Sequence, residues 1–299
     1  MQQLYLLTSM QTNKEIQALL HLLDDPDEVV YSSVQSKIIS YGKQIVPHLE
    51  KYWETIADEG LQTRIEEIIR QLNFGEVLIQ FTEWSTKEEP DLLEGMLIMN
   101  SYRFAEPNNN TTRKAMKTIY QSAWLEINNY LSPMEQVNVL ASVIYNMYKL
   151  QAQEVNTDNV NYFFINHLLS SKNGNVHSLN ALYIILCNLL SIPIKPINLP
   201  GQFLLAYFDK VYNYLTPQLA PEDKILFYID AASGMVYTQS DVDAYLKKME
   251  YPLHDDNYHI ALSNKQFMKK YLQQLLKCFE TEDLINYKEK ELLQLIELL

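Results

Sequence analysis

The sequence predicts an α+β protein, predominantly α-helical, in which a helical N-terminal region precedes a core with a small antiparallel sheet packed on one buried helix. Three observations predict it. Apolar residues recur at helical spacing through most of the 299 residues. One segment, Val176 to Leu190, is apolar on most faces and so is expected to be central. Directly after it the period drops to two, or to brief continuous runs, over four stretches rich in β-formers.

The elements follow in order. Ile16, Leu19, Leu20 and Leu23 keep the i, i+3, i+4, i+7 spacing of an amphipathic helix that stops at Asp24 and Asp25. Asp25 is then the expected N-cap of a second helix with Pro26 at its first position, where a missing N–H costs nothing. Its stripe of Val30, Val34 and Ile38 ends at Gly42. Ile45, Leu49, Trp53 and Ile56 form a third stripe and Leu61, Ile65, Ile68 and Leu72 a fourth, with Gly42 and Gly60 read as separators. This run of short helices resembles HEAT-type repeats, and an ordinary helical cap fits it equally well.

The pattern weakens between Gly75 and Pro90, which places a junction there and divides the chain into a helical region, 1–88, and a second domain with a helical C-terminal extension, 89–299. Asp91 to Tyr102 reads as a helix, Pro107 to Thr112 as a loop and Arg113 to Tyr130 as a longer helix. Ser132, Pro133 and Glu135 make a capping box that opens a helix through Val137, Leu140, Val143, Ile144 and Met147. A short helix through Phe164 and Leu168 and a loop from Ser170 to Asn175 lead into the buried helix. The strands are Ile194 to Leu199, Phe203 to Phe208, Ile225 to Ile229 and Met235 to Thr238, parted by Pro200-Gly201, Thr216 to Asp223 and Ala232 to Gly234. Helix returns over Asp241 to Met249, Lys265 to Phe279 and Tyr287 to Leu298.

Composition narrows the function. A 47% hydrophobic content fills more than one core, and a net charge of −13, spread along the chain, repels phosphate backbones, so nucleic acid is not an expected partner. Cys187 and Cys278 lie in apolar helical patterns without CxxC spacing, which predicts buried thiols rather than disulfides or zinc ligands. Met1 to Met10 lacks the pattern of a secretory leader. The longest apolar run, Ala181 to Leu190, is about half the ~20 residues a membrane helix needs, so a cytoplasmic protein with no membrane partner is expected.

A buried helix that starts after a glycine loop and is followed by an antiparallel sheet is the layout of papain-like and transglutaminase-like cores. The residues resemble the bacterial SirB-type transglutaminase-like family in three stretches. Gly174 to Leu179, running to Leu190-Ser191-Ile192-Pro193, is similar to the family's central helix and its exit. Leu199-Pro200-Gly201-Gln202-Phe203-Leu204 is similar to its Leu-Pro-Gly-His-Phe-Leu strand, and Ile229 to Gly234 to its Ile-Asp-Pro-Phe-x-Gly turn. Upstream, Leu92 to Ile98 and Ser132 to Val137 resemble its preceding helices, so the likeness spans about Asp91 to Ser240.

By this resemblance the thiol position falls at Val176, the histidine position at Gln202 and the acid at Asp230. Valine has no nucleophilic group and a carboxamide takes no proton near neutral pH, so the resemblance implies a pseudoenzyme that binds a protein or peptide as a scaffold or regulator. No catalytic residue, cofactor or metal is expected.

Two alternatives stay open. One is a hydrolase or acyltransferase with a rearranged site around His177 and Ser178, although adjacent helical residues point about 100° apart. The other is a small-molecule sensor. The plainer readings are that Ser178 caps its helix, His177 lines the rim of a shallow pocket, and Asp230 accepts hydrogen bonds from its own turn more readily than it serves a triad. Gln202 fits either a ligand contact or a backbone contact. His21, His48, His167, His254 and His259 show no metal-binding spacing, even where His254 and His259 flank Asp255 and Asp256. Met116, Tyr120, Trp124 and Ile127 form a stripe better explained by core packing than by a partner, and Asn108 to Thr112 a plain loop.

Overall fold

The computed structural model describes residues 14–104, 107–155, 159–209, 225–253, 256–279 and 287–299. The chain divides into two compact units, Met1–Gln80 and Phe81–Leu299.

The first unit is helical. It holds α1 over residues 14–22, α2 (Glu28–Ser40), α3 (Val46–Trp53) and the first part of α4 (Glu59–Ser85). One buried cluster joins Leu20, Leu23, Val34, Ile38, Leu49, Ile65 and Ile68, the residues that the sequence stripes select. Two terminators differ from expectation. The N-cap of α2 is Asp27, whose carboxylate accepts from the Val29 N–H, while Asp25 accepts from the Asp27 N–H at 2.9 Å, so Asp25 stabilises the turn before the cap and Pro26 precedes the helix. Gly60 lies inside α4, and the break before it is set by Asp58, which accepts from the Leu61 N–H at 2.8 Å. Gly42 does end α2, with a φ of 69° that a side chain would resist. Helix α4 runs unbroken through Gly75, where the apolar pattern weakens, to Ser85.

The second unit is α+β. Helix α5 (Leu92–Arg103) is capped by Asp91, and α6 (Asn109–Glu126) by Asn108, which accepts from the Thr111 N–H. The asparagine run expected as a loop is therefore the first turn of α6, because the Asn108 side chain supplies the missing acceptor. Trp124, assigned to the core by spacing, is 60% exposed; Met116, Ile119 and Ala123 form the buried stripe instead. Glu94 and Arg113 join α5 to α6 by a two-pronged ion pair that holds the Glu94 carboxyl below its usual range.

Helix α7 (Pro133–Ala141) opens with both hydrogen bonds of the Ser132–Glu135 capping box and then widens into a π-helix, Ser142–Met147. Helix α8 (Ile165–Ser171) follows, and strand β1 (Gln151–Ala152) pairs in parallel with β2 (Asn173–Gly174) ahead of α9 (Val176–Leu190). Every residue from His177 to Cys187 is buried, as the all-round apolar character of α9 requires.

Four strands, β3 (Ile194–Pro196), β4 (Leu205–Phe208), β5 (Ile225–Asp230) and β6 (Met235–Tyr237), form an antiparallel sheet in sequence order. The expected turn at Thr216 to Asp223 lies outside the described residues. All four residues of β4 are buried, because both faces of the sheet are covered. Ala206 and Phe208 face a cluster with Val242 and Leu246 of α10 (Gln239–Lys248), whereas the Tyr207 hydroxyl donates to Gln136 of α7. Helices α11 (Asn264–Lys277) and α12 (Tyr287–Glu297) pack on each other. Among the described residues no helix is long and apolar enough to cross a membrane.

Candidate functional site

The start of α9 is held by side chains. Asn175 Oδ1 accepts from the N–H groups of His177 and Ser178 at 3.0 and 3.1 Å. Ser178 Oγ accepts in return from the Asn175 N–H at 3.0 Å and donates to the Tyr162 carbonyl at 2.8 Å. The hydroxyl is fully buried and bonded to backbone, which is the chemistry of a cap.

His177 corrects an expectation. It does not line a pocket rim; it is 5% exposed, stacked on Phe163 at 5.1 Å and 11° and met edge-on by Phe203 at 5.2 Å. Aromatic neighbours on both sides bury the ring because Phe163 precedes α8 and Phe203 leads into β4, and α9 passes between them. Its Nδ1 has no hydrogen-bond partner. Burial, with Lys277 second, pushes its pKa down to about 4. Such an imidazole is a weak general base near neutral pH.

Val176, the first residue of α9, is half-buried and adjoins the segment that carries Gln202. Asn180 Nδ2 connects the two, donating to the Val176 carbonyl at 2.8 Å and to the Phe203 carbonyl at 3.1 Å. Gln202 itself is exposed and follows Gly201, whose φ is 69°. A Cβ on residue 201 would stand 2.6 Å from the Tyr245 hydroxyl, so the turn before Gln202 has no room for a side chain. Cys187 shares α9 but is fully buried, and burial pushes its thiol up, away from thiolate formation.

Asp230 ends β5. Its Oδ1 accepts from the Ala232 N–H at 2.8 Å and its Oδ2 from the Ser233 hydroxyl at 2.7 Å, the turn role favoured for it. The turn is anchored by Tyr145 on the π-helix, whose hydroxyl donates to the Ala231 carbonyl at 2.8 Å and whose ring lies where a side chain on Gly234 would stand. No sequence signal marks Tyr145; the π-turn that aims it is invisible in apolar spacing.

Gln202 and Asp230 meet in a cleft of about 240 Å³, lined also by Leu199, Leu204, Tyr237, Asp241, Val242 and Tyr245. Sequence reasoning found two of these eight. Thr238 and Asp241 make the capping box of α10, a pattern readable in advance, and it places Asp241, Val242 and Tyr245 on the first turns of that helix. Val176, His177 and Ser178 are not in the lining.

Over this same part of the chain, residues 110–273 match the family model for the transglutaminase-like superfamily, more than half of the sequence. The chain belongs to that superfamily. No curated protein and no solved structure matches it. The matched region of this transglutaminase-like protein contains α9, the four-stranded sheet, both of the residues Gln202 and Asp230, and most of α11. Among the described residues no group of three or more His, Cys, Asp or Glu is arranged to hold a metal. His259 is buried and its Nδ1 lies 3.0 Å from the Tyr228 hydroxyl, while His254 is outside the described residues.

Proposed function

We propose that this transglutaminase-like protein is a pseudoenzyme that binds a protein or peptide segment in the cleft between the Gln202 segment and α10. One observation carries the reading: the cleft lining holds carboxylates, a carboxamide, tyrosines and aliphatic groups, with no thiol, aliphatic hydroxyl or imidazole among its eight residues. Acyl transfer through a covalent intermediate needs a nucleophile and a base within hydrogen-bond reach of each other. The pair that the sequence singles out is spent elsewhere, Ser178 on the cap and His177 between two phenylalanine rings. The finer assignment to the SirB-type branch, and of the first unit to HEAT-like hairpins, belongs to the same proposal. The motif stretches Leu199 to Leu204 and Ile229 to Gly234 support the former, and the helices α2, α3 and α4 with their shared core the latter.

The test has two arms. Thiol- and serine-directed activity probes are expected to leave the native protein unlabelled, and labelling that disappears in Ser178→Ala would defeat the reading. Peptides selected from a random display library on the wild-type chain are expected to lose binding at least about tenfold, roughly 1.4 kcal/mol, in Gln202→Trp. Gln202 is exposed, so the indole fills the cleft without disturbing the core. Selected peptides that bind the variant unchanged would place recognition elsewhere.

A further inference from the structure

The cleft has a chemical character that none of its parts has alone. Its floor is apolar, with Leu199, Leu204 and Val242 all buried, and the half-buried rings of Tyr237 and Tyr245 complete the walls. Its two charged lining residues, Asp230 and Asp241, carry the same sign, and no lysine, arginine or histidine lines it. The Thr238 N–H and hydroxyl hold the Asp241 carboxyl below its usual range, so it is ionised at neutral pH. The field inside is negative and uncompensated by the lining, in a chain whose net charge is already −13. A volume of about 240 Å³ falls below the roughly 300–1,000 Å³ of pockets that enclose a whole ligand, and suits one head group or one side chain.

The kind of cation is set by the make-up of the lining, three buried aliphatic side chains and two tyrosine rings around two carboxylates whose oxygens are partly engaged. Both Asp230 oxygens accept hydrogen bonds from the turn, one Asp241 oxygen accepts two from Thr238, and the Tyr245 hydroxyl donates to the Pro200 carbonyl. A primary ammonium brings three N–H donors that each need an acceptor; the second Asp241 oxygen and Gln202 Oε1 stand open on exposed residues, whereas the aliphatic floor offers no acceptor at all. A quaternary ammonium brings none. It asks for a negative field, aromatic rings and apolar contact, the combination found in aromatic cages for methylated ammonium groups.

We propose that this cleft is a receptor for a quaternary ammonium group, either on a free small molecule or on a trimethylated lysine side chain. The inference rests on the cleft-binding reading above and names its ligand class. The experiment is a calorimetric and NMR titration of the full chain with choline, its uncharged isostere 3,3-dimethyl-1-butanol, ethanolamine, and a short peptide carrying lysine or trimethyl-lysine. Choline is expected to bind about tenfold or more tightly than either the isostere or ethanolamine, the discrimination that a partly desolvated cation–aromatic site supplies. Asp241→Asn keeps a side-chain oxygen for the α10 cap and removes the charge, so choline is expected to weaken about fivefold or more while the isostere stays within about twofold. Thermal unfolding of the variant checks that the fold is retained. A trimethyl-lysine peptide that outcompetes choline assigns the group to a protein partner, and choline binding without any gain from the peptide assigns it to a small molecule; both support the site. Equal binding of choline and the isostere, or no shift of the Tyr237 and Tyr245 resonances with choline, overturns it. If display-selected peptides still bind the wild type and fail on Gln202→Trp, that overturned result removes the ligand class alone and leaves the cleft-binding reading standing.

Discussion

Gly174→Ala is expected to lower the unfolding free energy by about 2–4 kcal/mol and Ser178→Ala by about 1–3 kcal/mol, with the double variant losing less than the sum. A Cβ on residue 174 would stand 2.3 Å from Ser178 Oγ and 2.9 Å from Leu168 Cδ1. The leucine end can swing. The serine hydroxyl is less free, because turning away gives up its bonds to both the Asn175 N–H and the Tyr162 carbonyl, which then keep only their bond to each other. Gly174→Ala therefore combines overpacking, about 1–3 kcal/mol, with a broken cap, about 1 kcal/mol. Removing the hydroxyl first removes the collision, so in the double variant only the leucine contact and the lost cap remain. Urea unfolding midpoints of the four proteins measure the coupling. Strict additivity would show that the glycine loop and the cap do not share this contact, and the structural reason for a glycine before α9 would go with it.

That glycine illustrates what was legible in the sequence. Local signals carried far: the Ser132–Glu135 capping box, the bounds of α9, the left-handed stop at Gly42 and the four strand segments all depend on neighbours within a few residues. The misplacements are equally local in origin. Asp25 and Asp27 compete as caps two residues apart, and both are used, one for the turn and one for the helix. Asn108 caps α6 from inside a polar run whose composition suggests a loop. Trp124 fits the apolar stripe by spacing yet stands exposed, since period alone does not say how wide a face the neighbouring elements cover.

The site was less legible, because a cleft is made by residues remote in sequence. Motif order pointed to Gln202 and Asp230 together, and they do share a cleft. What closes that cleft comes from α10, a helix outside the motif stretches, and what fixes the Asp230 turn comes from Tyr145, aimed by a π-helix and 86 residues before the Ala231 carbonyl it holds. The single amide of Asn180 that ties Val176 to Phe203 could be read only from coordinates, since nothing in a helical wheel distinguishes an asparagine that bridges two carbonyls from one that merely caps its own turn.

His177→Phe is expected to flatten the acid limb of the stability curve by about 2 kcal/mol between pH 7 and pH 5. In the unfolded chain the imidazole takes up a proton near pH 6.5, whereas in the folded protein burial between Phe163 and Phe203, helped by the Lys277 charge, holds it off until about 4. Between those values the unfolded state binds more protons, so wild-type stability falls as pH drops through 6.5 and keeps falling toward 4. Phenylalanine fits the aromatic stack and has no proton to gain. It also removes the unpartnered Nδ1, so the variant is expected to match or exceed the wild type at pH 7. His167, shifted in the same direction by burial, leaves a smaller residual slope in both proteins. Urea unfolding at pH 7, 6 and 5 gives the comparison. Identical slopes in the two proteins would mean that the ring reaches water in solution, and an imidazole in water beside Ser178 would reopen the case for chemistry at the start of α9.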